Sequence, residues 1–179
     1  MFVAFAAVFF GTRAPFSVAT VESTCGQAPP DVRFSSSAAD VNNFLAACGS
    51  DGRSAYTYMQ LADLLYPAVF GLFLATSLAL AVHSLAPGRP ALARLALLPL
   101  LGAAFDYLEN AFAWRAIAAF PEPTATDRLL GLASAAKTTT FWLAGVLLLA
   151  TISALGIRAL RRHTHRGRHA ADIAGVEAA

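Results

Sequence analysis

Hydrophobic positions dominate three long runs of the chain, Leu61 to Leu85, Leu92 to Ile117 and Leu129 to Ile157. Each meets or exceeds the roughly 20 apolar residues that a helix needs to cross the hydrocarbon of a bilayer. With interfacial ends included, they predict transmembrane helices at about 56–85, 91–118 and 128–157. A fourth apolar stretch, Met1 to Phe10, is too short to span alone. It lacks the basic n-region and small-residue cleavage site of a signal peptide, and Arg13 and Pro15 fit a helix end. Residues 1–19 therefore read as the outer part of a first transmembrane helix whose start is truncated; the competing reading is a half-inserted segment packed on the bundle. The expected fold is an all-α integral membrane protein, one domain over 1–179, built as a four-helix transmembrane bundle. An exterior loop at 20–55 and a basic cytoplasmic tail at 158–179 complete it.

Composition points the same way. The chain is 57% hydrophobic and 13% charged, whereas a soluble domain carries roughly a quarter charged residues. Its cations are twelve Arg and a single Lys, set among abundant Ala, a bias of high-GC bacterial genomes.

The distribution of those cations orients the helices, because Lys and Arg in short loops near helix ends stay in the cytoplasm. Arg89 and Arg94 flank one connection, and Arg158, Arg161, Arg162, Arg166 and Arg168 follow the last run. The segment from Thr20 to Gln60 carries Glu22, Asp31, Asp40 and Asp51 against Arg33 and Arg53, and the connection at 120–128 carries Glu122 and Asp127. Both therefore read as exterior, with the C-terminus in the cytoplasm of a bacterium. The arginine tail reads as an anchor on anionic membrane lipid.

Within the exterior segment, Gln27 to Ser37 is rich in Pro, Ser and Asp and reads as irregular. Ser37 then predicts the cap of a helix through Cys48, with Val41, Phe44 and Leu45 at helical spacing and Gly49 just past its end. This amphipathic piece would lie across the mouth of the bundle, as a cover for apolar helix ends or as a lid. Cys25 and Cys48 both fall in this segment, where oxidising conditions favour a disulfide over two free thiols. The next helix starts near Ser54, with Tyr56 and Tyr58 as an interfacial belt. Pro67 should kink it by removing the hydrogen bond to the carbonyl of Asp63.

Candidate chemistry sits inside the apolar runs. Asp106, Glu109 and Asn110 share one helix face as i, i+3 and i+4, with Tyr107 beside them. Lys137 lies in the next run, flanked by Ser134 and Thr138. Counted inward from the exterior ends, Glu109 is about 16 Å deep and Lys137 about 13 Å deep, at 1.5 Å per residue. Antiparallel neighbours at these depths bring Lys137 to Glu109 and Asp106, and Asp63 extends the network outward. Ionisable groups at membrane depth are expensive and read first as a functional site; the alternative is a satisfied network that fixes helix register.

Three functions compete. The leading one is handling or transport of protons or small cations by the carboxyls, tuned by Lys137, with a homo-oligomer supplying the path. The second is a membrane-embedded enzyme using a carboxyl as general acid or base on a lipid-like substrate. The third is a non-catalytic subunit of a membrane complex. No Gly-x-Ser-x-Gly or His-rich metal motif is present, and Cys25 and Cys48 form no Cys-x-x-Cys pair, so no metal and no cofactor is expected. His83 has no second membrane-embedded His to ligate a haem. The basic tail lacks interleaved aromatics and abuts a membrane helix, which argues against nucleic acid.

Overall fold

A computed structural model describes the backbone of residues 2–177 and the side-chain surroundings of residues 7–162. Among the described residues every regular element is helical. In chain order they are α1 (Phe2–Gly11), α2 (Val18–Cys25), a 3-10 turn (Pro30–Val32), α3 (Ala38–Asp63), α4 (Leu65–Leu85), a short α5 (Pro90–Ala93) with a second 3-10 turn (Arg94–Leu97), α6 (Leu98–Ala119) and α7 (Asp127–Glu177). Three units are long and apolar enough to cross a membrane: Ala38–Leu85, Pro90–Ala119 and Asp127–Arg162.

The segment expected as an exterior loop at 20–55 is largely helical. Ser17 and Ser37 cap α2 and α3, and Ser37 forms a full capping box with Asp40. α3 is interrupted at Gly49, where φ 61° and ψ −168° are open to glycine and costly for any residue with a Cβ. The chain then resumes as a helix that leads towards the bilayer-length apolar run. A disulfide joins Cys25 at the end of α2 to Cys48 just before this break. It clamps the two helices where they meet.

Pro67 marks the second interruption. The helix ends at Asp63 and restarts at Leu65, one residue pair ahead of the proline, as expected when a ring replaces a donor in the ladder. The Tyr107 hydroxyl donates to the Leu64 carbonyl at this break, at 2.9 Å.

Packing divides the molecule. At the disulfide end, Val21, Val41, Phe44, Met59 and Leu130 are buried in a core shared by α2, α3, α6 and α7, each contributing about 1.5–3 kcal/mol through burial. Towards the Arg-rich end, α4, α6 and α7 pack through small residues. A Cβ on Gly71 would lie 3.0 Å from that of Ala103, and one on Gly102 would lie 3.1 Å from the Phe141 ring. Close backbone approach of this kind is the usual way for helices to associate where burial gives no drive. At the start of α7, Gly131 lies against the backbone of Ser36, so the 33–37 segment rests directly on the helix.

A side chain at Gly131 cannot be accommodated without displacing that segment. Gly131→Ala should lower stability by more than about 1 kcal/mol, whereas Gly145→Ala, with open space around its Cβ, should be neutral or stabilising by about 0.5–1 kcal/mol. Thermal unfolding in mild detergent reads both.

Candidate functional site

α6 and α7 form a hairpin, and its facing sides carry the deepest charges. Asp106, Glu109 and Asn110 are all buried on the α6 face towards α7. Across from them the Lys137 ammonium lies 3.0 Å from Asp106 and also pairs with Glu109. Ser134, one turn earlier on α7, donates to the other oxygen of Glu109. Two carboxylates thus share one ammonium and one hydroxyl. In apolar surroundings such a set is tolerable only because each charge has an opposite partner at contact distance.

α3 brings a second polar set to the same place. Tyr56, Gln60 and Asp63 recur at i, i+4 and i+7 and are all buried. Asp63 accepts a hydrogen bond from the Asn110 amide at 3.2 Å, which ties α3 to α6. Tyr56 donates to Asp31 at 3.1 Å and meets Phe44 edge to face. Asp31 comes from the 3-10 turn between α2 and α3, folded inward and buried. Burial raises its carboxyl above the ordinary value of 3.8, a rise opposed by the Lys137 ammonium and by the Tyr56 hydrogen bond.

Asp31, Asp63, Asp106 and Lys137 line one cavity of about 480 Å³. Thr138 also faces it. Neither amide atom of Gln60, nor the Asn110 carbonyl oxygen, has a hydrogen-bond partner among the described residues. Gln60 and Asn110 are buried but are not among the residues that line the cavity, and unpaired polar atoms in such a setting are costly.

Other expected site residues are placed differently. Tyr107 is exposed and bonds Leu64, so it braces the α3–α4 break and lies off the chamber. Tyr56, read as an interfacial tyrosine, is a core residue; Tyr58 is the exposed one. Arg158 donates to the Leu85 carbonyl, and Arg161 and Arg162 are exposed on α7. Arg166 and Arg168 lie outside the residues whose side chains are described. No three His, Cys, Asp or Glu side chains among the described residues are placed to hold a metal ion.

Asp31, Gln60 and Tyr56 were missed as site residues by reading the sequence. The α3 pair carried a usable signal, since their spacing to Asp63 is helical. Asp31 carried none, because a turn residue has no periodicity to show where it folds. No protein-family model, curated protein or solved structure matches this chain.

The ion triad and Asp31 make opposite demands on stability. Lys137→Met strands two buried carboxylates and should cost about 3–5 kcal/mol, while the triple change Asp106→Asn, Glu109→Gln, Lys137→Met should recover most of that loss. Asp31 titrates above 3.8 in the folded chain, so the unfolded chain releases its proton first as pH rises, and wild type loses stability from 3.8 upward through the folded value. Asp31→Asn removes this loss: its melting temperature should exceed wild type at pH 7.5, with the gap closing towards pH 4.

Proposed function

We propose that this is a multi-pass protein of a bacterial cytoplasmic membrane that handles protons or small cations at the carboxylate chamber. In this reading the bent unit α3–α4, together with α6 and α7, crosses the bilayer, and α1 packs as a fourth member of the bundle. The disulfide end faces the exterior and the arginines Arg158, Arg161 and Arg162 face the cytoplasm, in line with the positive-inside rule.

One observation carries the functional reading. Asp31, Asp63 and Asp106 face a common cavity, and the only ammonium there, Lys137, is already shared between Asp106 and Glu109. Formal charge in the chamber is thus negative, and a low-dielectric site with excess carboxylate binds either protons or cations. Asp63 is the best placed acceptor: it lines the cavity, and the partner shown for it is the neutral Asn110 amide.

A lipid-like occupant is favoured by a different feature, the apolar wall that continues the cavity along α7. The two readings meet in the same chamber.

The test is a pH-gradient-driven and cation-gradient-driven flux measurement in liposomes holding the purified full chain. Flux above protein-free vesicles is expected, falling at least about tenfold with Asp63→Asn or Glu109→Gln and unchanged with Arg115→Gln on the exposed side of α6. Flux that is indifferent to Asp63 and Glu109 overturns the transport reading.

A further inference from the structure

The cavity is two-ended. Its polar end holds Asp31, Asp63, Asp106 and Lys137. From Lys137 it continues along one side of α7 past Phe141, Trp142, Gly145, Val146 and Leu149. These recur at i, i+1, i+4, i+5 and i+8, which is a single helical stripe. From Phe141 to Leu149 the stripe runs about 12 Å, the length of a chain of roughly ten methylenes. Nothing polar interrupts it.

The stripe is also open sideways. Trp142 is 71% exposed, Val146 58% and Leu149 67%, so the apolar end of the cavity gives onto the surface that a membrane helix turns to lipid. By contrast, Asp63 and Asp106 at the other end are 6% and 2% exposed. A ligand that enters from the side must therefore be apolar for most of its length and polar at the end that arrives first.

Charge selects the kind of head. The polar end is rich in carboxylate, and it is bordered by aromatic rings. Phe10, Tyr66 and Phe70 form a contiguous series with centroids 6.0 and 5.4 Å apart, and Phe70 continues to Phe141 at 5.1 Å. Ring faces beside carboxylates favour an ammonium, through charge pairing and cation–π attraction together. The one cation of the polar end, Lys137, is already paired with Asp106 and Glu109, so a phosphate or carboxylate head would meet a net excess of like charge. A volume of about 480 Å³ falls in the range of small-molecule sites, about 300–1,000 Å³.

We infer that the chamber binds a single-chain amphiphile with an amine head, the ammonium among Asp31, Asp63 and Asp106 and the chain laid along the α7 stripe from Phe141 to Leu149. This inference rests on the cation-binding reading of the chamber and names the class of cation. The carboxylates hold the head, the stripe sets the chain length, and the side opening lets the ligand arrive from the bilayer without crossing water.

The probes are dodecylamine, butylamine and dodecanol, and the readout is the melting temperature of the full chain in maltoside detergent as each is titrated. Dodecylamine should stabilise at a concentration at least roughly tenfold below butylamine, since each buried methylene adds affinity, and dodecanol should not stabilise. Asp63→Asn should abolish stabilisation by both amines. Gly145→Leu grows a side chain into space with no neighbour within 4 Å and should remove the advantage of the long chain while leaving butylamine unchanged. Equal midpoints for the two amines, or a long-chain advantage untouched by Gly145→Leu, overturns the amphiphile and leaves a small-cation site standing. Amine stabilisation that survives Asp63→Asn, or none at all in wild type, overturns the cation site and the amphiphile with it.

Discussion

Lys137 must have partners, and much of the structure follows from supplying them. An ammonium in an apolar helix hairpin is tolerable only when carboxylates reach it at contact distance. Asp106 and Glu109 do so because they lie one turn apart on α6, and Ser134 reaches Glu109 because it lies one turn from Lys137 on α7. Sliding either helix by a single residue would turn one of these groups away from the seam. The triad therefore sets the register of α6 against α7, which small residues alone would leave loose. Asn110 passes that register to α3 through Asp63, and the polar layer becomes the reference plane of the fold.

Two breaks in the first long helix make room for this plane. Gly49 lets the chain turn after the disulfide, and the interruption at Leu64, ahead of Pro67, directly follows Asp63, which lines the buried end of the cavity. Tyr107 donates to the Leu64 carbonyl at the second break. A residue that reads as part of the charged cluster is thus a brace for the geometry around it. The contrast between the two halves follows. A dense apolar core sits at the disulfide end, while the remainder is a thin assembly of three helices joined through glycine and alanine, with large apolar side chains turned outwards.

What was legible in the sequence depended on periodicity. The three long runs, the cap at Ser37, the stop at Gly49 and the break near Pro67 could all be read from local chemistry, because each is decided within a few residues. The spacing of Asp106, Glu109 and Asn110, and the solitary Lys137, marked the centre of the buried polar layer for the same reason. Tyr56 and Gln60 were harder. A tyrosine and a glutamine at the start of an apolar run look the same whether the interface or a buried polar layer holds them, and only packing against Phe44 and Asp31 separates the two. Asp31 was beyond reach, since an acidic residue in a Pro-rich turn reads as solvated until the turn is known to fold inward. The helical content of the 20–55 segment was underestimated because α2 is short and its core-facing positions, Val18, Val21 and Cys25, resemble loop chemistry among Thr, Ser and Gly.

The disulfide has a consequence for how the outer wall of the chamber assembles. Asp31 and Tyr56 are 25 residues apart along the backbone, and bringing them together in an unlinked chain carries the loop-closure entropy of that span. Once Cys25 and Cys48 are joined, only the short segments from Cys25 to Asp31 and from Cys48 to Tyr56 separate them. The oxidised chain therefore presents carboxyl and phenol to each other at high effective concentration before α6 and α7 need to have docked. One wall of the chamber can form as a local event, and its completion by Lys137 and Asp106 is then the later, long-range step.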